Sequence, residues 1–323
     1  MLIPDAIKRA LIRLDRLPER LERHGIVTYG DRARLRRNLY HSEIRFSQEG
    51  QDTIADLLVE NRPLMISRLG SVELSCLRFY LERRQGTKRP YRSRTCALMA
   101  NPAGFFPIRD DLLDSFAELY LQELRKSDLM GVWFNLYEDV VCNRYCPDAA
   151  LVDFDCLEPF RFEKPWSRHL AGRTVLVVHP FAASIRKQYQ DKRHLLFTDQ
   201  AVLPDFELKT LRSVQSIDGV RGRFVTWFDA YRHMCDEVAK ISFDICIIGA
   251  GAYGLPLAAF VKDLGRQAIH LGGVTQILFG IKGKRWETQY ADSTAKLFNE
   301  HWTRPLPEET PENMNQIEKG CYW

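Results

Sequence analysis

Apolar residues follow two rhythms along this chain. Ile3, Ile7, Leu11, Leu14, Leu17 and Leu21 recur at steps of three and four, the spacing of one helical face. From Leu64 onward, short apolar runs alternate with amphipathic stretches. Residues 63–68, 129–134, 243–248 and 267–271 read as strands, and 207–215 alternate as a strand does. Thr174-Val-Leu-Val-Val178 suits a strand buried on both faces. Residues 71–83, 110–126, 182–191, 227–240 and 253–264 carry helical spacing. Residues 86–107, with Pro90, Pro102 and Pro107, read as irregular. Residues 140–172 read as a hinge between two lobes or as a long surface loop, and the Pro- and Glu-rich stretch after Trp302 as an extended tail.

Repeated strand-helix-strand units predict an α/β fold, a doubly wound, mostly parallel, Rossmann-like sheet with an N-terminal helical extension. The expected divisions are a basic helical extension over 1–50, an α/β domain over 51–300 and a tail over 301–323. In such sheets ligands bind beyond the carboxyl ends of the strands.

Composition narrows the setting. With 323 residues, 45% hydrophobic and 27% charged, the chain can bury a sizeable core. No apolar run approaches the roughly 18 to 20 residues of a membrane span. Lys8, Arg9 and Arg13 interrupt the apolar residues of Met1–Leu14, unlike a signal peptide, so a cytoplasmic setting is expected. Residues 1–37 hold ten basic and five acidic side chains, an excess of five against a net +4 for the whole chain. The body is therefore near neutral, which argues against a nucleic-acid partner. The basic face of the first helix either packs on the body as a solvated surface or makes peripheral contact with anionic lipid at the inner face of a membrane. The eight cysteines are expected to be thiols. Cys142 and Cys146 are close, but no second pair follows at zinc-site spacing.

Four strand ends carry candidate chemistry. Gly249, Gly251 and Gly254, with Tyr253 between, close a buried strand and open a helix, the G-x-G-x-x-G spacing in its strand-turn-helix setting. Such a turn either lets phosphate approach the backbone and the helix N-terminus or is only a tight turn whose glycines serve helix–sheet packing. A dinucleotide site adds a carboxylate at the end of the next strand, where this chain has His270. A second Gly-rich turn follows with Gly272, Gly273 and Thr275, then Lys282, Lys284, Arg285 and Trp286. The three cations suit a diphosphate or a solvated loop, and the indole suits stacking on a base or sugar. Arg68, Gly70, Ser71 and Glu73 stand where an early strand turns into a helix. There Glu73 could serve as a general base, as one metal ligand or only as a helix-start carboxylate. His179 and Ser184 follow the strand at 174–178, with no acidic residue nearby to complete a triad and no G-x-S-x-G elbow.

These residues resemble the GT-D type glycosyltransferases. Members carry an Arg-x-Gly-Asp-x-Glu element after an early strand, matched here by Arg68-Leu-Gly-Ser-Val-Glu73. They also carry a late Gly-rich turn, a helix ending in Leu-Gly and a strand running into a second glycine. The counterparts are Gly249 to Gly254, Asp263-Leu-Gly265 and Ala268-Ile-His-Leu-Gly272. The likeness spans residues 64–286 and extends to proteins found among bacterial surface-polysaccharide genes, which end in a tail like Gly320 to Trp323. It implies sugar transfer from a nucleotide donor, a UDP-sugar first, to a glycan acceptor, with the acidic element serving a divalent Mn or Mg. The chain departs at Ser71, where the family has aspartate, which leaves Glu73 alone to meet a hard cation. On this reading Glu73 and Arg68 are catalytic. The other classes open to the sequence are a dehydrogenase or methyltransferase resting on the Gly249 turn, and a non-catalytic binding protein with a degenerate site.

Overall fold

The structure, a computed structural model, describes residues 28–84, 86, 90–216, 223–288, 294–311, 314 and 320–323. The periodic segment at residues 3–21 lies outside the described residues.

Eight strands build one sheet in the order β1-β4-β3-β2-β8-β7-β5-β6, and every pairing is parallel. They are β1 (Ile44–Arg45), β2 (Leu64–Arg68), β3 (Leu129–Val132), β4 (Ala150–Asp153), β5 (Thr174–His179), β6 (Glu207–Arg212), β7 (Ile245–Ile248) and β8 (Gln267–His270). Strands β7 and β8 are buried at every position, because helices cover both faces of a parallel sheet. Edge strand β6 is only partly covered, which is why it reads as alternating.

One face is covered by α3 (Ser71–Arg84), α4 (Ser93–Ala100), α5 (Asp110–Leu124), α6 (Glu138–Tyr145), α8 (Trp227–Ala239) and α9 (Gly254–Asp263), in a core that includes Leu77, Phe116, Trp227 and Leu257. The other face carries α2 (Ser47–Val59), α7 (Ala182–Leu196) and the short α10 (Val274–Leu278), around Ile54, Ile185 and Ile277. The sheet is thus doubly wound, as its strand-helix alternation predicts. Helix α1 (Tyr29–Arg36) precedes it, and β1, inside the 1–50 segment, joins the sheet by pairing with β4.

Three segments depart from the periodicity. Residues 86–107 contain α4, and 140–172 contain most of α6 and all of β4. Strand β4 pairs with both β3 and β1, so this stretch is an integral part of one sheet and not a hinge. The strand expected over 129–134 stops at Val132, because Phe134 takes a left-handed φ of 59°. The described part of the tail folds back on the body, burying Trp302, Glu309 and Cys321. Among the described residues, no helix is long and apolar enough to cross a membrane. The cysteines are thiols, with Cys142 and Cys146 buried one turn apart on and just after α6.

Candidate functional site at the carboxyl ends of the strands

Strands β2, β5, β7 and β8 end at Arg68, His179, Ile248 and His270. All are parallel, so these four ends share one edge of the sheet. The glycines beyond them show how closely the turns meet. A Cβ on Gly249 would lie 2.5 Å from His179 Cδ2, 2.6 Å from the Gly272 carbonyl oxygen and 2.8 Å from Thr275 Oγ1. A Cβ on Gly272 would strike the Arg68 guanidinium, one on Gly254 the His270 ring, and one on Gly70 the Glu73 carboxylate. Arg68, Glu73, His179, Gly249, Gly254, His270, Gly272 and Thr275 therefore form one continuous cluster.

Arg68 stands at its centre. Its guanidinium lies beside Gly272 and 5.8 Å from the centre of the Trp133 ring, which is itself packed on Phe154 with centroids 3.9 Å apart. Its Nε has no hydrogen-bond partner. Tyr120, buried on α5, donates its hydroxyl to the Ala252 carbonyl at 2.9 Å. Burial first, and then the Glu73 carboxylate, hold that phenol well above its ordinary range, with Arg68 opposing. Glu73, Arg68 and the Gly249–Gly254 turn are thus linked through one tyrosine. Nothing in the spacing of Phe116 and Tyr120 separates that tyrosine from an ordinary core residue.

Both histidines are neutral. Burial lowers the His179 pKa to about 3. Its Nδ1 accepts from the Phe181 amide at 3.0 Å, so its proton sits on Nε2, which is left as a donor. His270 is pushed well below the usual range, by burial first and then by the positive charge of Arg68, with the Arg68 main chain opposing weakly. Neither of its ring nitrogens makes a hydrogen bond of normal geometry. Thr275 Oγ1, fully buried, also has no partner. Buried polar groups are normally satisfied, and Arg68 Nε, the two His270 ring nitrogens and Thr275 Oγ1 are four buried polar atoms that the packing leaves without a partner.

The Gly249–Gly254 turn offers fewer amides than its spacing implies. The N–H groups of Gly249, Tyr253 and Gly254 are bonded to the carbonyls of Val178, Ala250 and Gly251, and Pro256 has none. Gly251, at φ 53°, is the exposed residue of the turn. Tyr253 is buried, bonded to Ser216 at 3.0 Å and stacked on Trp227 with centroids 4.7 Å apart. These contacts hold the turn in place.

The remaining candidates meet the folded-back tail. Glu309, 2% exposed, caps α7 by accepting from the Ala183 amide at 2.7 Å, the Ser184 amide at 3.1 Å and the Ser184 hydroxyl. Ser184 Oγ in turn accepts from the Leu306 amide at 2.9 Å. Arg285, on α11 (Lys284–Thr288), donates to the Tyr322 hydroxyl at 2.8 Å, and Trp286 is buried. A Cβ on Gly273 would lie 3.3 Å from the Tyr322 ring. Ser184, Gly273 and Arg285 thus meet the tail. Lys282 is half-buried, while Lys284 and Ser71 are exposed.

Two solved structures resemble this one. A selenomethionine-substituted structure of domain of unknown function 1792 has a TM-score of 0.46 and 12% identity, covering 86% of this chain and 96% of that one. Another, described as the highly conserved domain of unknown function 1792 with a distinct glycosyltransferase fold, has a TM-score of 0.44 and 14% identity, covering 87% of this chain and 96% of that one. No family model and no curated protein matches the chain. Likenesses this loose leave the chemistry to the residues of the site.

Proposed function

We propose that the chain is a glycosyltransferase-like enzyme that moves a sugar from a nucleotide donor, a UDP-sugar first, to a glycan acceptor in surface-polysaccharide assembly. The observation that carries this reading is the convergence of the Arg68 guanidinium with the Gly249, Gly254 and Gly272 turns and with two neutral histidines. A guanidinium fork matches a diphosphate in shape and charge. Neutral imidazoles give and accept hydrogen bonds without adding charge. A nicotinamide dinucleotide is disfavoured, because β8 ends at His270 where such a site needs a carboxylate.

In the reaction, the acceptor hydroxyl oxygen bonds to the anomeric carbon as the bond from that carbon to the diphosphate oxygen breaks. The hydroxyl proton passes to the Glu73 carboxylate, and the electron pair leaves with the nucleoside diphosphate. Arg68 stabilises the charge that grows there, and such fixed charges aimed at a leaving group are the largest common source of rate. Lys282 and Lys284 flank the donor. The basic segment at residues 1–37 would bring the enzyme to an anionic membrane surface.

A divalent Mn or Mg is what the resemblance implies, and the residues present do not fit it. Glu73 is the sole carboxylate of residues 68–73, Ser71 supplies a hydroxyl, and no three His, Cys, Asp or Glu side chains gather as a metal set among the described residues. No step is routed through a metal.

The test is turnover of sugar nucleotides by the wild type and by Glu73→Gln. Loss of about 10²-fold or more in kcat, with donor affinity retained, is the expected result. Equal turnover by the two proteins contradicts the role given to Glu73.

A further inference from the structure

A concavity lies on the α3–α5–α6 face, remote from the strand ends. It holds about 470 Å³ and is lined in part by Tyr80, Arg84, Glu118, Arg125, Arg144 and Tyr145. Helix α3 runs from one site to the other. Glu73 and Arg84 are eleven residues apart on it, about 16 Å along its axis.

The charges in this pocket do not balance. Arg84 donates to the Tyr80 hydroxyl at 2.9 Å and lies 3.4 Å from Glu118, to which Tyr80 donates at 2.7 Å. Arg125 and Arg144 both rest on Tyr145, 5.3 and 5.5 Å from its ring centre. Among the described residues, no carboxylate pairs with either of them. Two like charges held against one ring, beside a third with only one counter-ion, set up a local positive potential. Each arginine sits at or near the end of its helix, where the macrodipole favours a cation. The dipole explains a cation at each end. It does not explain three of them converging on one concavity with two tyrosines.

We infer that this pocket binds a phosphate-bearing ligand, gripped by Arg125 and Arg144 and bordered by Arg84 and Tyr80. Guanidinium groups match phosphate by paired, charge-assisted hydrogen bonds. The phosphate belongs either to a soluble compound or to a lipid headgroup. The inference goes beyond the sugar-transfer reading and does not depend on it.

The experiment uses the full chain and two probes, inorganic pyrophosphate and vesicles of phosphatidylglycerol in phosphatidylcholine. Arg125→Gln/Arg144→Gln is compared with a control of equal charge loss, Arg109→Gln/Arg186→Gln, at exposed positions elsewhere. Thermal melting confirms that both fold. The wild type and the control are expected to bind at least one probe, and the pocket double variant to bind it about tenfold or more weakly, as the loss of charge-assisted contacts predicts. Pyrophosphate binding that weakens in the pocket double variant and not in the control identifies a soluble ligand, and vesicle binding alone that weakens in the same way identifies a headgroup; binding at Arg68 or through residues 1–37 is kept by both double variants. No binding of either probe by the wild type, or equal weakening in both double variants, overturns the inference. Equal weakening in both double variants leaves the strand-end site untouched, whereas a wild type that binds no pyrophosphate also counts against the diphosphate role given to Arg68.

Discussion

Gly272 combines two constraints, a left-handed φ of 67° and direct contact of its Cα with the Arg68 guanidinium. Gly272→Ala is expected to fold but to lose about 1–3 kcal/mol of stability, because a side chain is strained at that φ and must displace Arg68. Chemical denaturation measures the loss. Gly254 differs, since its φ is ordinary but a Cβ there meets the buried, rigid ring of His270. Gly254→Ala is expected to destabilise by about 1–3 kcal/mol through overpacking, in the same assay. At this scale the turns that meet at the strand ends were legible, because glycines, a strand-end arginine and two histidines are visible as residue types. It missed Tyr120 and Trp133, which join those turns from elements distant in sequence and look like core aromatics. It also read Tyr253 and Trp286 as donor-binding, and the structure buries both, Tyr253 against Ser216 and Trp227.

Among the elements, α7 and the tail depend on each other. The Glu309 carboxylate receives two amides and a hydroxyl at the start of α7, while Trp323 Nε1 donates to the Glu309 carbonyl at 3.0 Å. Glu309→Ala is expected to lower stability by about 1–2 kcal/mol, through loss of a buried helix cap. A fall in melting temperature together with faster protease cleavage after residue 302 checks it, and an unchanged melting temperature contradicts the capping role. The long strand and helix runs were legible, because burial on both faces writes continuous apolar stretches. Strand β4 was not, since four residues following Pro147 carry too little period to register. The tail read as extended because proline and glutamate are common in solvated segments. Its anchors, Trp302 and Glu309, are single residues whose partners lie over a hundred positions away.

For the whole molecule, buried ionisable groups shape stability against pH. His179 falls from an ordinary 6.5 to about 3, so between those values the unfolded chain binds a proton that the folded chain refuses. Stability is therefore lost as pH drops from 6.5 toward 3, by about 1.4 kcal/mol per unit for each such group, and His270 acts in the same direction. Burial raises Glu138 and Glu158 from 4.5 to about 7 and Asp153 from 3.8 to about 6. These favour the folded state below their unfolded values and lose that contribution as pH rises through 6 to 7. The two sets oppose each other between about 4.5 and 6.5, so stability is expected to be flattest there and to fall on both sides. Denaturation midpoints at pH 3.5, 5.5 and 7.5 test this, and a maximum at either extreme contradicts it.

The sharpest test of the central claim is nucleotide binding at the strand-end site. Wild type and Arg68→Gln are melted with UDP, NAD or S-adenosylmethionine. The account predicts a rise in melting temperature with UDP or another nucleoside diphosphate, none with the other two, and loss of the rise in Arg68→Gln. Stabilisation by NAD or S-adenosylmethionine, or an equal response to UDP without Arg68, would contradict it.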